Sequence, residues 1–160
     1  MDLLFNNAWI FFIVVTILNG LIMKHRSKRY ISENPGLQFG YDKYFKGLIF
    51  YGNIPWIIIA IGNLSGLTHS IFDYVNPKTM NPIVLVFHGA IAFLWILCVR
   101  WVYFKGGAEF FETHPGLFQK SSLSGKTNIT AKQVKLYLPL IILSGIFAMI
   151  MMWTTDFTNP

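Results

Sequence analysis

Charge is scarce in this chain. Only 12% of its 160 residues are Asp, Glu, Lys or Arg, and just seven are acidic; an ordinary soluble domain carries about 25% charged residues. Cysteine is nearly missing too. Cys98 stands alone, which excludes an intrachain disulfide framework and a thiolate metal site within one chain. No G-x-S-x-G, H-E-x-x-H, phosphate-cradling glycine loop or paired carboxylate within an apolar block occurs, so neither a catalytic residue nor a metal ligand set is assigned. The basic residues form no dense run interleaved with stacking aromatics, which argues against nucleic acid as a partner.

What the chain has instead is apolar residues, 54% of the total, gathered into long blocks. A helix crossing a hydrocarbon core about 30 Å thick needs about 20 such residues. Four blocks qualify, at 3–23, 48–67, 83–104 and 136–153, and Arg100 is the one charge within them. The fold class predicted is therefore all-α, an integral membrane four-helix bundle occupying 1–160 as a single domain. The first block follows Asp2 rather than a basic start and lacks a small-residue cleavage site, so it reads as a retained span and not as a signal peptide.

Lys24, Arg26, Lys28, Arg29, Lys43 and Lys46 follow the first block, and Lys105, Lys120, Lys126, Lys132 and Lys135 follow the third. Lys and Arg accumulate in short cytoplasmic loops, so loops 24–47 and 105–135 are expected in the cytoplasm, both termini outside, and the chain in an inner or plasma membrane. Attraction to anionic headgroups explains the net charge of +6.

Those two loops share a phrase: "SENPGL" at 32–37 and "FETHPGLF" at 111–118. The offset of 80 also lays the first block on the third, which suggests two duplicated helical hairpins. Physically, each Pro-Gly-Leu should stop a helix that has passed the membrane surface and turn the chain back.

Local punctuation agrees with the spans. Asn81-Pro82 supplies an N-cap and a first-turn proline, and Thr130 with Gln133 forms a capping-box pattern. "IFDYV" at 71–75 is expected as a half-buried turn or short helix at the outer interface. Trp9, Tyr51, Trp101, Tyr103, Trp153 and Phe157 lie near span ends, as aromatic rings at headgroup depth do. "SSLSGKTN" at 121–128 is the most linker-like stretch and is expected to be disordered.

Polar groups inside spans are costly and are the first candidates for binding. Arg100 lies one turn from Phe104 and can extend its head to the surface. Asn53, two residues before the helix-interrupting Pro55, and Asn63 together with Arg100 suggest a polar path; Asn19 and Pro139 raise the same question more weakly. His88 in the third span, with His69 from the same side, makes a haem or metal site conceivable. Gly62 with Gly66 and Ser144 with Ala148 are small-residue pairs suited to close helix packing, and Gly89 and Ala92 thin the third span. Glu109, Glu112 and His114 form the one acid–base cluster, read as a solvated face opposite Phe110 and Phe111 lying on the membrane.

Four spans with outward termini look like the trimeric membrane-associated enzymes of eicosanoid and glutathione metabolism. The second span here opens "DKYFKGLIFYGNIPW", without that family's run of Arg, Asn and Glu, so the resemblance stops at topology and transfers no residues. The function expected is an accessory or structural membrane subunit, working as a homo-oligomer or with a membrane protein partner. The alternatives are a small channel or transporter using Asn53, Asn63 and Arg100, and a haem or metal protein using His88. No cofactor is predicted beyond that haem alternative.

Overall fold

The computed structural model describes residues 7–122 and 125–155. Asp2, Asp156, Phe157, the first residues of block 3–23 and the centre of stretch 121–128 lie outside them. Among the described residues the fold is all-helical apart from one small hairpin. Four helices are long and apolar enough to cross a membrane: α1 (Ala8–Glu33), α2 (Gln38–Leu64), α3 (Pro82–Phe104) and α5 (Ala131–Thr154), while α4 (Gly107–Thr113) is short. At 1.5 Å per residue the long helices measure about 35 to 40 Å, more than a bilayer core requires.

The surplus lies mostly at one end. Helices α1 and α2 each run about ten residues beyond the apolar blocks, through 24–33 and 38–47, because Lys, Arg and Gln are good helix formers and hydropathy does not mark where helical hydrogen bonding stops. Between them Asn34 turns extended, its side chain accepts from the Gly36 N–H at 3.2 Å, and Pro35–Leu37 makes a single 3₁₀ turn. The first Pro-Gly-Leu thus does stop one helix and start the next.

Its second copy uses different geometry. Gly116 is left-handed at φ 86°, with the Tyr30 ring so close that a Cβ on Gly116 would lie 2.5 Å from it. The chain then forms β1 (Gln119–Ser122) and β2 (Gly125–Asn128), an antiparallel pair registering Gln119 with Asn128 and Ser122 with Gly125. This corrects the expectation of disorder at 121–128 for its described residues. The base of the hairpin is clamped by Ile129 N–H to Phe118 O at 3.3 Å and by Gly116 N–H to Asn128 Oδ1 at 3.2 Å. The second half of the chain therefore inserts α4 and a hairpin where the first half has one turn.

The long helices run up-down-up-down, each beside its neighbour in sequence. Helices α1 and α2 meet through Gly20 against Ile49, Gly52 against Thr16, and Phe12 stacked on Trp56 at 4.1 Å. One buried cluster, at the lysine-rich end, joins Tyr41, Phe45, Phe111 and Leu117; a second, at the opposite end, joins Ile59, Tyr74 and Val84. Helix α5 contributes no buried residue. It touches α3 where Gly145 meets Trp95, where the Tyr103 hydroxyl donates to Lys135 O at 2.6 Å, and where Trp153 meets His88. Its capping box forms as the sequence implies, with reciprocal bonds between Thr130 and Gln133. Asn81 caps α3 through Ile83 N–H at 3.1 Å, with Pro82 in the first turn.

Candidate functional site

At the end opposite the lysine-rich loops, α2 finishes at Leu64 and the chain reverses through Gly66, left-handed at φ 74°. Leu67 and Thr68 both donate N–H bonds to Gly62 O, at 3.0 and 3.1 Å, so that this one helix-terminal carbonyl is satisfied by the reversing chain. Ser70 and Asp73 then form a capping box that starts the 3₁₀ turn Ile71–Val75, the short element expected there. Asp73 Oδ2 accepts from the N–H groups of His69 at 2.6 Å and Ser70 at 3.1 Å.

This reversal delivers Tyr74 into the core, 2% exposed. Its hydroxyl sits 3.2 Å from Thr68 Oγ1 and donates toward the carbonyls of Ile58 and Ile59 at 3.4 Å, while Thr68 Oγ1 donates to Asn63 Oδ1 at 2.7 Å. Gly62 is what makes the space, since a Cβ there would lie 2.1 Å from the Tyr74 oxygen. His88 Nε2 lies 2.9 Å from Tyr74 O. A carbonyl only accepts, so Nε2 is the donor in this contact. The ring Nδ1 is buried without a hydrogen-bond partner among the described residues.

Beside the reversal lies a cleft of about 710 Å³ lined by the polar residues His69, Asp73, Asn76, Thr79 and Asn81 and by the apolar Leu67, Phe72, Val75 and Val84. Sequence reasoning treated Asn81 as a helix cap and did not find the cleft; the one available signal was the pair of Asn-Pro steps, 76–77 and 81–82, framing a short polar turn.

The other sequence candidates scatter. Asn53 is buried, its Nδ2 donates to Ile49 O at 2.7 Å, and its Oδ1 has no donor among the described residues. Asn63 belongs to the Tyr74 network, whereas Arg100 is exposed beside Trp101, which faces Tyr44 at the lysine-rich end. Asn53, Asn63 and Arg100 therefore sit at different levels of the fold and are not gathered at one point. Gly62 and Gly66 are not a helical pair, because α2 ends between them; one accommodates Tyr74 and the other turns the chain. Ser144 and Ala148 are exposed on α5, and it is Gly145 that faces α3.

At the lysine-rich end Glu109, Glu112 and His114 also part company. Glu109 pairs with Lys135 at 2.5 Å, which holds its carboxyl below the usual range, and Glu112 accepts from the Ala131 N–H at 3.3 Å. His114 stacks on Phe110 at 3.9 Å and points Nε2 at Gly40; its burial pushes its pKa down. Among the described residues no three His, Cys, Asp or Glu side chains converge as a metal group. Comparison with known proteins gives no match to a family model, a curated protein or a solved structure.

Proposed function

We propose that this chain is an integral membrane protein with four spans, its lysine-rich end in the cytoplasm and both termini outside an inner or plasma membrane, acting as an accessory or structural subunit. The observation that carries this reading is the state of α5. Along that helix Leu136, Leu140, Ile141, Leu143, Phe147 and Ile150 are all more than half exposed, and the small pair Ser144 and Ala148 lies open among them. A helix held along one edge, with a close-approach position on its free face, is suited to a second membrane helix. The polar groups of the spans support the same reading, because Asn63, His88 and the amide nitrogen of Asn53 are engaged with their own fold.

A second copy of the chain is the simplest partner. Mass measurement in mild detergent should then give a discrete oligomer, and Ser144→Phe or Ala148→Phe should shift it to a monomer with unchanged helix content. A monomer at every concentration, with no co-purifying membrane protein, would contradict the proposal. The channel or transporter reading retains one specific support, the donorless Asn53 Oδ1 two residues before Pro55. The haem reading retains the free Nδ1 of His88, and a Soret band in the purified protein decides it.

A further inference from the structure

The carboxylates of the lysine-rich end are all engaged. Glu33 pairs with Arg29 at 3.2 Å, Asp42 lies 3.9 Å from Lys24, Glu109 holds Lys135, and Glu112 accepts from the Ala131 N–H. Lys43 and Lys46 are left over. Both are exposed on α2, and neither has an ion-pair partner among the described residues. Three residues apart on a helix they share one face, where like charges repel. Among the described residues no other two Lys or Arg stand one helical turn apart with both unpaired. An anion seated between them turns that repulsion into attraction.

The surroundings of the pair have room for one. Gly47 follows Lys43 by one turn, and a Cβ there would meet only the Tyr51 ring, at 3.9 Å. Tyr51 comes a further turn on, half exposed, its hydroxyl without a hydrogen-bond partner among the described residues. Two ammonium groups and a phenol thus border an opening over the helix backbone, and the near carboxylate, Asp42, is turned to Lys24 on α1. At 1.5 Å per residue Lys46 and Lys43 lie about 3 and 8 Å outside the apolar block that begins at Leu48. A headgroup layer is about 5 to 8 Å thick on each side of a bilayer.

Below the pair the same face turns apolar. Phe50, Ile57 and Ile61 are 65%, 46% and 53% exposed along it. A free phosphate would use the lysines and leave that stripe bare, whereas a phospholipid uses both. A headgroup carrying its own ammonium would be repelled by the lysines, so a phosphodiester with a neutral headgroup fits better.

We propose that this face of α2 holds one anionic phospholipid of the cytoplasmic leaflet, its phosphate between Lys43 and Lys46 over Gly47 and an acyl chain along Phe50. The inference rests on the four-span orientation proposed above and not on the subunit role.

The test reconstitutes the full chain in phosphatidylcholine nanodiscs, releases it into mild detergent and titrates it with phosphatidylglycerol. Native mass spectrometry counts the lipids held per chain, with phosphatidylcholine of the same acyl chains as competitor. One phosphatidylglycerol should be retained in preference. Lys43→Gln with Lys46→Gln should weaken it by about tenfold to thirtyfold, as loss of two basic groups near a membrane surface does. Lys28→Gln with Lys132→Gln removes the same charge from exposed, unpaired positions at the same end and should leave binding unchanged. Gly47→Leu keeps every charge, fills the opening and should weaken binding too. Equal losses in the two lysine pairs would reduce the effect to net charge and overturn the site. No preference over phosphatidylcholine, or unchanged binding in Lys43→Gln/Lys46→Gln or in Gly47→Leu, overturns it as well. Failure of the chain to enter nanodiscs would overturn the membrane reading and the site together, whereas entry without lipid preference overturns the site alone.

Discussion

Gly62→Ala should destabilise the protein by about 2 to 4 kcal/mol, through overpacking and broken hydrogen bonds combined. The added methyl would lie 2.1 Å from the Tyr74 oxygen and 2.7 Å from Thr68 Oγ1. Neither atom can step aside cheaply: Tyr74 and Thr68 are each 2% exposed, and both hydroxyls are hydrogen-bonded. Replacing Gly by Ala within a helix normally gains about 1 kcal/mol, so a net loss identifies the contact as its cause. Tyr74→Phe removes the colliding oxygen, and the double variant should therefore be less destabilised than the sum of the singles. Reversible unfolding in mixed micelles measures all three; strict additivity would show that the Gly62 space is not what seats Tyr74.

The second large effect is expected at the lysine-rich end. Tyr41 is completely buried, its hydroxyl donates to Pro115 O at 2.6 Å, and its ring meets Phe45 and His114. It ties the start of α2 to the second Pro-Gly-Leu, 74 residues away. Tyr41→Ala should cost about 3 to 5 kcal/mol, as truncating a buried aromatic does, whereas Tyr41→Phe should cost about 1 kcal/mol for one hydrogen bond. The same unfolding measurement separates the two. Similar losses for Phe and Ala would place the stabilisation in the hydroxyl rather than in the packed ring.

The sequence disclosed what is set within a few residues along the chain. Block lengths announced the long helices, since nothing but a continuous apolar run matches a rise of 1.5 Å per residue to a bilayer. Asn81-Pro82 and Thr130 with Gln133 announced helix starts because a cap and its N–H donor lie within three residues. Contacts across the fold were not legible. Gly62 and Gly66 look like a helical pair until the helix is seen to stop at Leu64, and the true partner of Gly62 arrives only after the chain reverses. Glu109, Glu112 and His114 look like one cluster because they are close in sequence. Their orientations are set by Lys135, by the start of α5 and by Gly40, which no local pattern reveals. The two copies of Pro-Gly-Leu show the same limit, for identical residues adopt a 3₁₀ turn in one place and a left-handed glycine in the other.

The proposed arrangement depends most on both Pro-Gly-Leu turns facing the same aqueous compartment while the Pro77–Thr79 turn faces the other. Labelling of single cysteines with a membrane-impermeant maleimide in sealed vesicles tests this directly, in a Cys98→Ala background. Cysteines at 36 and 118, both exposed, should react from the same side, and a cysteine at 79 only from the opposite one. Reaction of 36 and 118 from opposite sides, or of all three from one side, would contradict the four-span topology and the orientation drawn from its lysines.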